Sequence, residues 1–135
     1  VRWDFVVEQW IARLNADPAL LSVLGGGNLI YPAQASRPVT VPSIEYLVSS
    51  DTEGELFNPI TVVVDFWARG IKKSAQIERR IRLLTHSDVG QDVGGERMWL
   101  QYQDGRTLEY PKEEGVVHRQ LEFLFTPMRE KYAVL

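Results

Sequence analysis

A chain of 135 residues, 44% hydrophobic and 24% charged, is long enough to bury one core without metal or disulfide support and too apolar for wholesale disorder. The absence of cysteine excludes a disulfide framework and a thiolate metal site. A net charge of −3 is too mild to demand a polyanionic partner, and no apolar run approaches the roughly 20 residues that span a bilayer.

Trp3, Val7, Trp10, Ile11 and Leu14 recur at helical spacing, with Arg2, Glu8, Gln9 and Arg13 on the other side. This predicts an amphipathic opening helix and not a signal peptide, because Arg2, Asp4 and Glu8 interrupt the apolar residues. Asp17 is placed to cap a second, short helix with Pro18 at its first position, where a missing N–H costs nothing. Gly25-Gly26-Gly27 ends that helix, since glycine reaches the left-handed conformation of a C-cap. These glycines follow a helix rather than a strand and precede no Lys-Ser/Thr, so they do not read as a phosphate loop.

Leu29–Pro32 reads as a short extended piece, and Pro42–Val48 as a strand in which Ile44, Tyr46 and Val48 alternate with Glu45 and Leu47. Ser49–Pro59 is a polar loop long enough to be an arm. Ile60–Trp67 is β-branched and aromatic; Ile60, Val62, Val64 and Phe66 share one face and predict the core side of a strand. After Arg69-Gly70, Ser74 is the expected N-cap of a helix whose inward stripe is Ile77, Ile81 and Leu84, with Glu78 and Arg82 at i, i+4 outside. Thr85–Glu96 reads as loop and Arg97–Gln103 as a strand ending at the turn signal Asp104-Gly105. Val116–Thr126 is the last strand, stopped by Pro127. Val117, Leu121, Phe123 and Phe125 line one of its faces, and Arg119 interrupts that face, which requires a later start or a bulge. The tail from Met128 is free in the sequence pattern to reach a neighbour.

The order α–β–β–β–α–β–β predicts one α+β domain over residues 1–135: a mainly antiparallel sheet of four to five strands with two helices packed on one face. Trp67 and Trp99 fall on the sheet face away from the core, so the helix of Ile77, Ile81 and Leu84 or a loop must cover them, or else a neighbouring subunit does.

Chemistry is sparse. His86 and His118 have no nucleophile pattern beside them and read as solvated or hydrogen-bonding groups. His86, Asp88 and Asp92 lack the spacing of a metal site, and the carboxylates Glu53, Glu55, Glu113 and Glu114 lie in loops. No catalytic, cofactor or metal residue is therefore assigned, and a small enzyme is the lesser reading. Charge is distributed unevenly: residues 69–82 hold six basic residues against Glu78, while 51–55 and 109–114 lean acidic. Opposite local signs on one small domain suit head-to-tail self-association. The candidate interface residues are Glu53, Glu55 and Phe57 in the arm, Arg69, Lys72 and Lys73 at the basic turn, and Arg79 and Arg82 on the helix. Glu53 and Glu55 are expected to meet the basic residues of a neighbour.

Three segments together resemble a known group. They are Leu14-Asn15-Ala16-Asp17-Pro18-Ala19-Leu20 with Val23-Leu24-Gly25-Gly26, Val41-Pro42-Ser43-Ile44-Glu45-Tyr46, and Val62-Val63-Val64-Asp65-Phe66-Trp67-Ala68 before the helix of Ser74-Ala75-Gln76-Ile77. In that order they look like the tail terminator or tail completion proteins of long-tailed bacteriophages, the family of lambda's minor tail protein U. The resemblance implies a non-enzymatic virion protein, made in the host cytoplasm, that forms a hexameric ring at the head-proximal end of the tail tube. Such a ring ends tube polymerisation and provides the head–tail joining surface. The implied partners are other copies of the chain, the tail tube protein and a head-completion or connector protein, with passive contact to DNA passing through the lumen and no membrane. A head–tail connector or neck protein of the same virion is the alternative.

Overall fold

The alternation at residues 60–66 becomes the centre of a six-stranded sheet. The computed structural model describes residues 2–26, 30–33, 38–49 and 59–128. The elements are α1 (Trp3–Asn15), α2 (Pro18–Val23), β1 (Ile30–Pro32), β2 (Ser43–Ser49), β3 (Ile60–Arg69), α3 (Ile71–Thr85), β4 (Gln91–Val93), β5 (Glu96–Leu108) and β6 (Val116–Pro127). Strand order is β1-β2-β3-β6-β5-β4, antiparallel throughout except for the short β1–β2 pair. The predicted α+β class and mainly antiparallel sheet hold. The strand number is six rather than four to five, because β1 and β4 each add a three-residue edge strand.

Ile60, Val62, Val64 and Phe66 of β3 and Leu121, Phe123 and Phe125 of β6 are at most 1% exposed and form the floor of the core. Period-2 alternation puts them on one face, and α1 and α3 cover it. Trp10 of α1 meets the rings of Tyr46 and Phe125 edge-on at 6.2 and 5.5 Å, and its indole N–H donates to Thr85 Oγ1 of α3 at 2.9 Å. Ile77 and Ile81 of α3 enter the same cluster. Arg13 ties α1 to the end of α3 and to β4, donating to the Leu84 carbonyl and to Gln91 Oε1. Burial pulls its pKa below the ordinary guanidinium value. The short α2 is fixed by Asp17, which caps it through the Leu20 N–H at 2.9 Å and receives Nε and Nη2 of Arg80 from α3.

Four local expectations change. Helix α3 starts at Ile71, not after Ser74: Gly70, at φ 88° and ψ 157°, turns the chain straight from β3 into the helix, and Ser74 is buried one turn inside. No L-residue adopts that conformation cheaply. The 85–96 stretch is not all loop, because Gly94-Gly95, both with positive φ, make a two-residue hairpin between β4 and β5. Asp104-Gly105 is no turn. Strand β5 runs on to Leu108, held by its long pairing with β6, and a bulge between Tyr102 and Asp104 absorbs the irregularity. A side chain at position 105 would meet Tyr102 Oη and Arg119 Nη2, so the ends of those two side chains would have to shift to admit one. Finally, β6 needs neither a later start nor a bulge. Arg119 keeps its phase opposite Thr107 and Phe66, and its guanidinium reaches out to Glu78 of α3. None of the described helices is long and apolar enough to cross a membrane.

Candidate subunit interface

The basic turn and helix come together as one strip on the outer side of α3. Lys72 and Lys73 are exposed in its first turn, which contains no acidic residue; Arg79 lies two turns beyond Lys72 on the same side, and Arg82 is on the flank facing β5, over Tyr102. Lysines there oppose the partial positive charge of the helix N-terminus, an arrangement that local helix stability does not favour. Arg69, just before the turn, is ion-paired to Glu113 of the β5–β6 connection. Glu53, Glu55 and Phe57 lie outside the described residues, as does the tail beyond Met128.

Beside the strip is a cleft of about 560 Å³ between α3 and β5, lined by Ala75, Glu78, Arg79, Arg82, Leu83, His86 and Tyr102. Arg82 lies over the Tyr102 ring at 3.8 Å and reaches Glu78 at 3.3 Å. The other Glu78 oxygen accepts Arg119 Nε at 2.8 Å, and that carboxylate holds the Arg119 guanidinium further into its charged form than usual. His86 Nδ1 accepts the Tyr102 N–H at 2.9 Å, which leaves the neutral ring's proton on Nε2, facing Asp88 at 3.3 Å. Each ionisable group in the cleft except Arg79 is thus committed to a neighbour. Among the described residues, no group of three or more His, Asp or Glu is arranged to hold a metal.

The opposite face of the sheet carries no helix among the described residues. Trp67 lies there at 6% exposure, its ring stacked on His118 at 4.4 Å. Asp65 Oδ1 meets His118 Nε2 at 2.8 Å and accepts the Gln120 side-chain N–H at 3.1 Å. The subunit itself therefore covers Trp67, and the second helix plays no part, being on the other side. Both predicted roles of the histidines as hydrogen-bonding groups are met. Trp99, at 38% exposure, and Leu47, at 53%, stay open on this face. Asp104 and Glu122 stand directly opposite each other on β5 and β6, and neither is hydrogen-bonded or ion-paired to a described residue. Sequence reading missed this pair, because only the bulge before Asp104 brings it into register with Glu122.

No protein-family model matches the chain, and no curated protein matches it. Among solved structures, a chain of the virion of a native gene transfer agent particle shares the fold. It superposes with a TM-score of 0.65 at 12% identity, over 89% of this chain and 92% of that one.

Proposed function

We propose that the protein is a structural subunit of a phage-like virion that assembles head to tail into a ring, and that the ring is the tail terminator at the head-proximal end of the tail tube. The observation that carries this reading is the fold it shares, nearly end to end, with a chain of a gene transfer agent virion. The exposed Lys72, Lys73 and Arg79 support it, as charges with no ion-pair partner among the described residues. A heterologous contact closes into a ring when the rotation between subunits divides a full turn. A ring with one face copying the contacts of the tube and the other lacking them ends tube growth. A head–tail connector is the second reading, favoured by the same fold, and differs in binding the portal side instead of the tube.

Light scattering over a wide concentration series tests the ring. A species near six times the 15.4 kDa subunit is expected, and a monomer at every concentration would refute it. Capping of purified tail tubes then separates terminator from connector. Reversing Glu53 and Glu55 together should lower assembly with the melting curve unchanged; assembly equal to wild type would remove the arm from the interface.

A further inference from the structure

We infer that the outer face of α3 in one copy docks on the open face of the sheet in a second copy, with Asp104 and Glu122 as the acidic counterpart of Lys72, Lys73 and Arg79. The inference rests on the head-to-tail reading above and supplies the pair of surfaces that meet.

The two surfaces lie on opposite sides of the sheet. Helix α3 packs its Ile77 and Ile81 stripe inward, so its basic side points away from the sheet. Asp104 and Glu122 project from the side that no described helix covers, being in phase with Arg106 and Gln120, whose side chains bond there at 2.6 and 2.8 Å. Like charges directly opposite each other in a strand pair are unfavourable. No cation is bonded to the pair, since Arg106 on the same face bonds Gln120 and Arg119 acts on Asp104 only through space, and the three basic residues of α3 have no anion bonded to them among the described residues. Each surface thus carries the charge that the other lacks.

Apolar groups accompany the charges on both sides. Ile71 and Leu83 are 81% and 65% exposed on α3, and Leu47 and Trp99 are open large side chains on the same face of the sheet as Asp104 and Glu122. Apolar anchors amid complementary charge are what a subunit contact is made of. Because the two surfaces differ and face opposite ways, the contact cannot pair two copies and stop. It passes on from copy to copy, which is the requirement for a ring.

Two self-repelling variants test this. One carries Lys72→Glu, Lys73→Glu and Arg79→Glu, which makes both surfaces acidic; the other carries Asp104→Lys and Glu122→Lys, which makes both basic. Each alone is expected to raise the dissociation constant at least about tenfold, since like-charge juxtaposition at an interface is strongly disfavoured. An equimolar mixture is expected to assemble again, as alternating subunits with the wild-type mass. Thermal midpoints compared at a concentration where wild type too is monomeric should stay the same, or rise for the α3 variant, which places carboxylates at a helix N-terminus; this separates lost docking from lost folding. A wild-type six-fold species with either variant assembling normally, or a mixture no better than its components, overturns the docking and leaves the ring standing. A wild type that stays monomeric throughout overturns both.

Discussion

Trp10 is the side chain through which α1, α3 and the sheet are joined, and its removal can be costed from its contacts. It is fully buried, meets Tyr46 and Phe125 edge-on, and donates to Thr85 Oγ1 across 75 residues of sequence. Trp10→Ala opens a large cavity and should cost about 3–5 kcal/mol. Trp10→Phe keeps an aromatic ring but loses the hydrogen bond, about 1 kcal/mol, and leaves the Thr85 oxygen unmet, about 1–2 kcal/mol more. Thr85→Val leaves the indole N–H buried without an acceptor, again about 1–3 kcal/mol. When both partners are changed, neither orphan remains. The double variant should therefore cost less than the sum of the singles by about 1 kcal/mol or more. At this chain length each kcal/mol moves the melting point by about 4 °C. Urea unfolding of the four proteins at one fixed concentration, which holds any contribution from association constant, gives the cycle directly. A coupling energy of zero, or a Trp10→Phe cost under about 0.5 kcal/mol, would refute the claim that this bond ties the helices together.

Asp17 gives a pH-dependent expectation. Its carboxyl is held below the usual range, first by the Arg80 hydrogen bonds and then by the Leu20 N–H, against burial that pushes the other way. A depressed folded pKa contributes stability that is complete above about pH 5, since the unfolded value is about 3.9, and that is lost as pH falls through the folded value. Asp17→Asn keeps the cap and loses the ion pair, so its deficit against wild type should be constant from pH 5 to 7 and shrink below pH 4. Urea midpoints across that range read the trend, and a deficit that grows on acidification would reverse the argument. Asp17→Ala should cost about 1 kcal/mol more than Asp17→Asn at neutral pH, because it also loses the cap. Gly70→Ala should cost about 1–3 kcal/mol, as φ 88° with ψ 157° is open essentially only to glycine, and an unchanged melting point would argue against that backbone geometry.

What was legible in the sequence was whatever its own periodicity determines. The strand of Ile60, Val62, Val64 and Phe66, the Trp3-to-Leu14 helix and the Asp17-Pro18 cap each follow from neighbours within a few residues. The failures share a different cause. Ser74 is a good N-cap by composition, yet Gly70 begins the helix because β3 runs directly into it. Asp104-Gly105 is a turn by local chemistry, yet β6 supplies a partner long enough to carry β5 through it. Arg119 breaks an apolar face in one dimension and is satisfied in three, by a glutamate 41 residues away on α3. The basic strip was readable because helical spacing collects it within one element. Its acidic counterpart was not, because Asp104 and Glu122 meet only through a cross-strand register that a bulge resets.

Helix α3 has two sides with different tasks, and their energetics differ in the same way. Inside, Ser74, Ile77 and Ile81 are at most 5% exposed and fix the helix on the sheet. Outside, Lys72 and Lys73 stand at the helix end where positive charge is least favoured, and on the far face of the sheet Asp104 stands opposite Glu122. Lysines at a helix N-terminus and facing carboxylates are each unfavourable locally, although Asp104 also feels the charge of Arg119 within the subunit. A sequence that satisfies its core so completely and breaks local charge rules at two surfaces is what the proposed head-to-tail contact would require. The contacts that Trp10, Ile77 and Ile81 make lie on the inner side of α3, so surface charge at Lys72, Lys73 and Arg79 can be altered to test assembly without disturbing them.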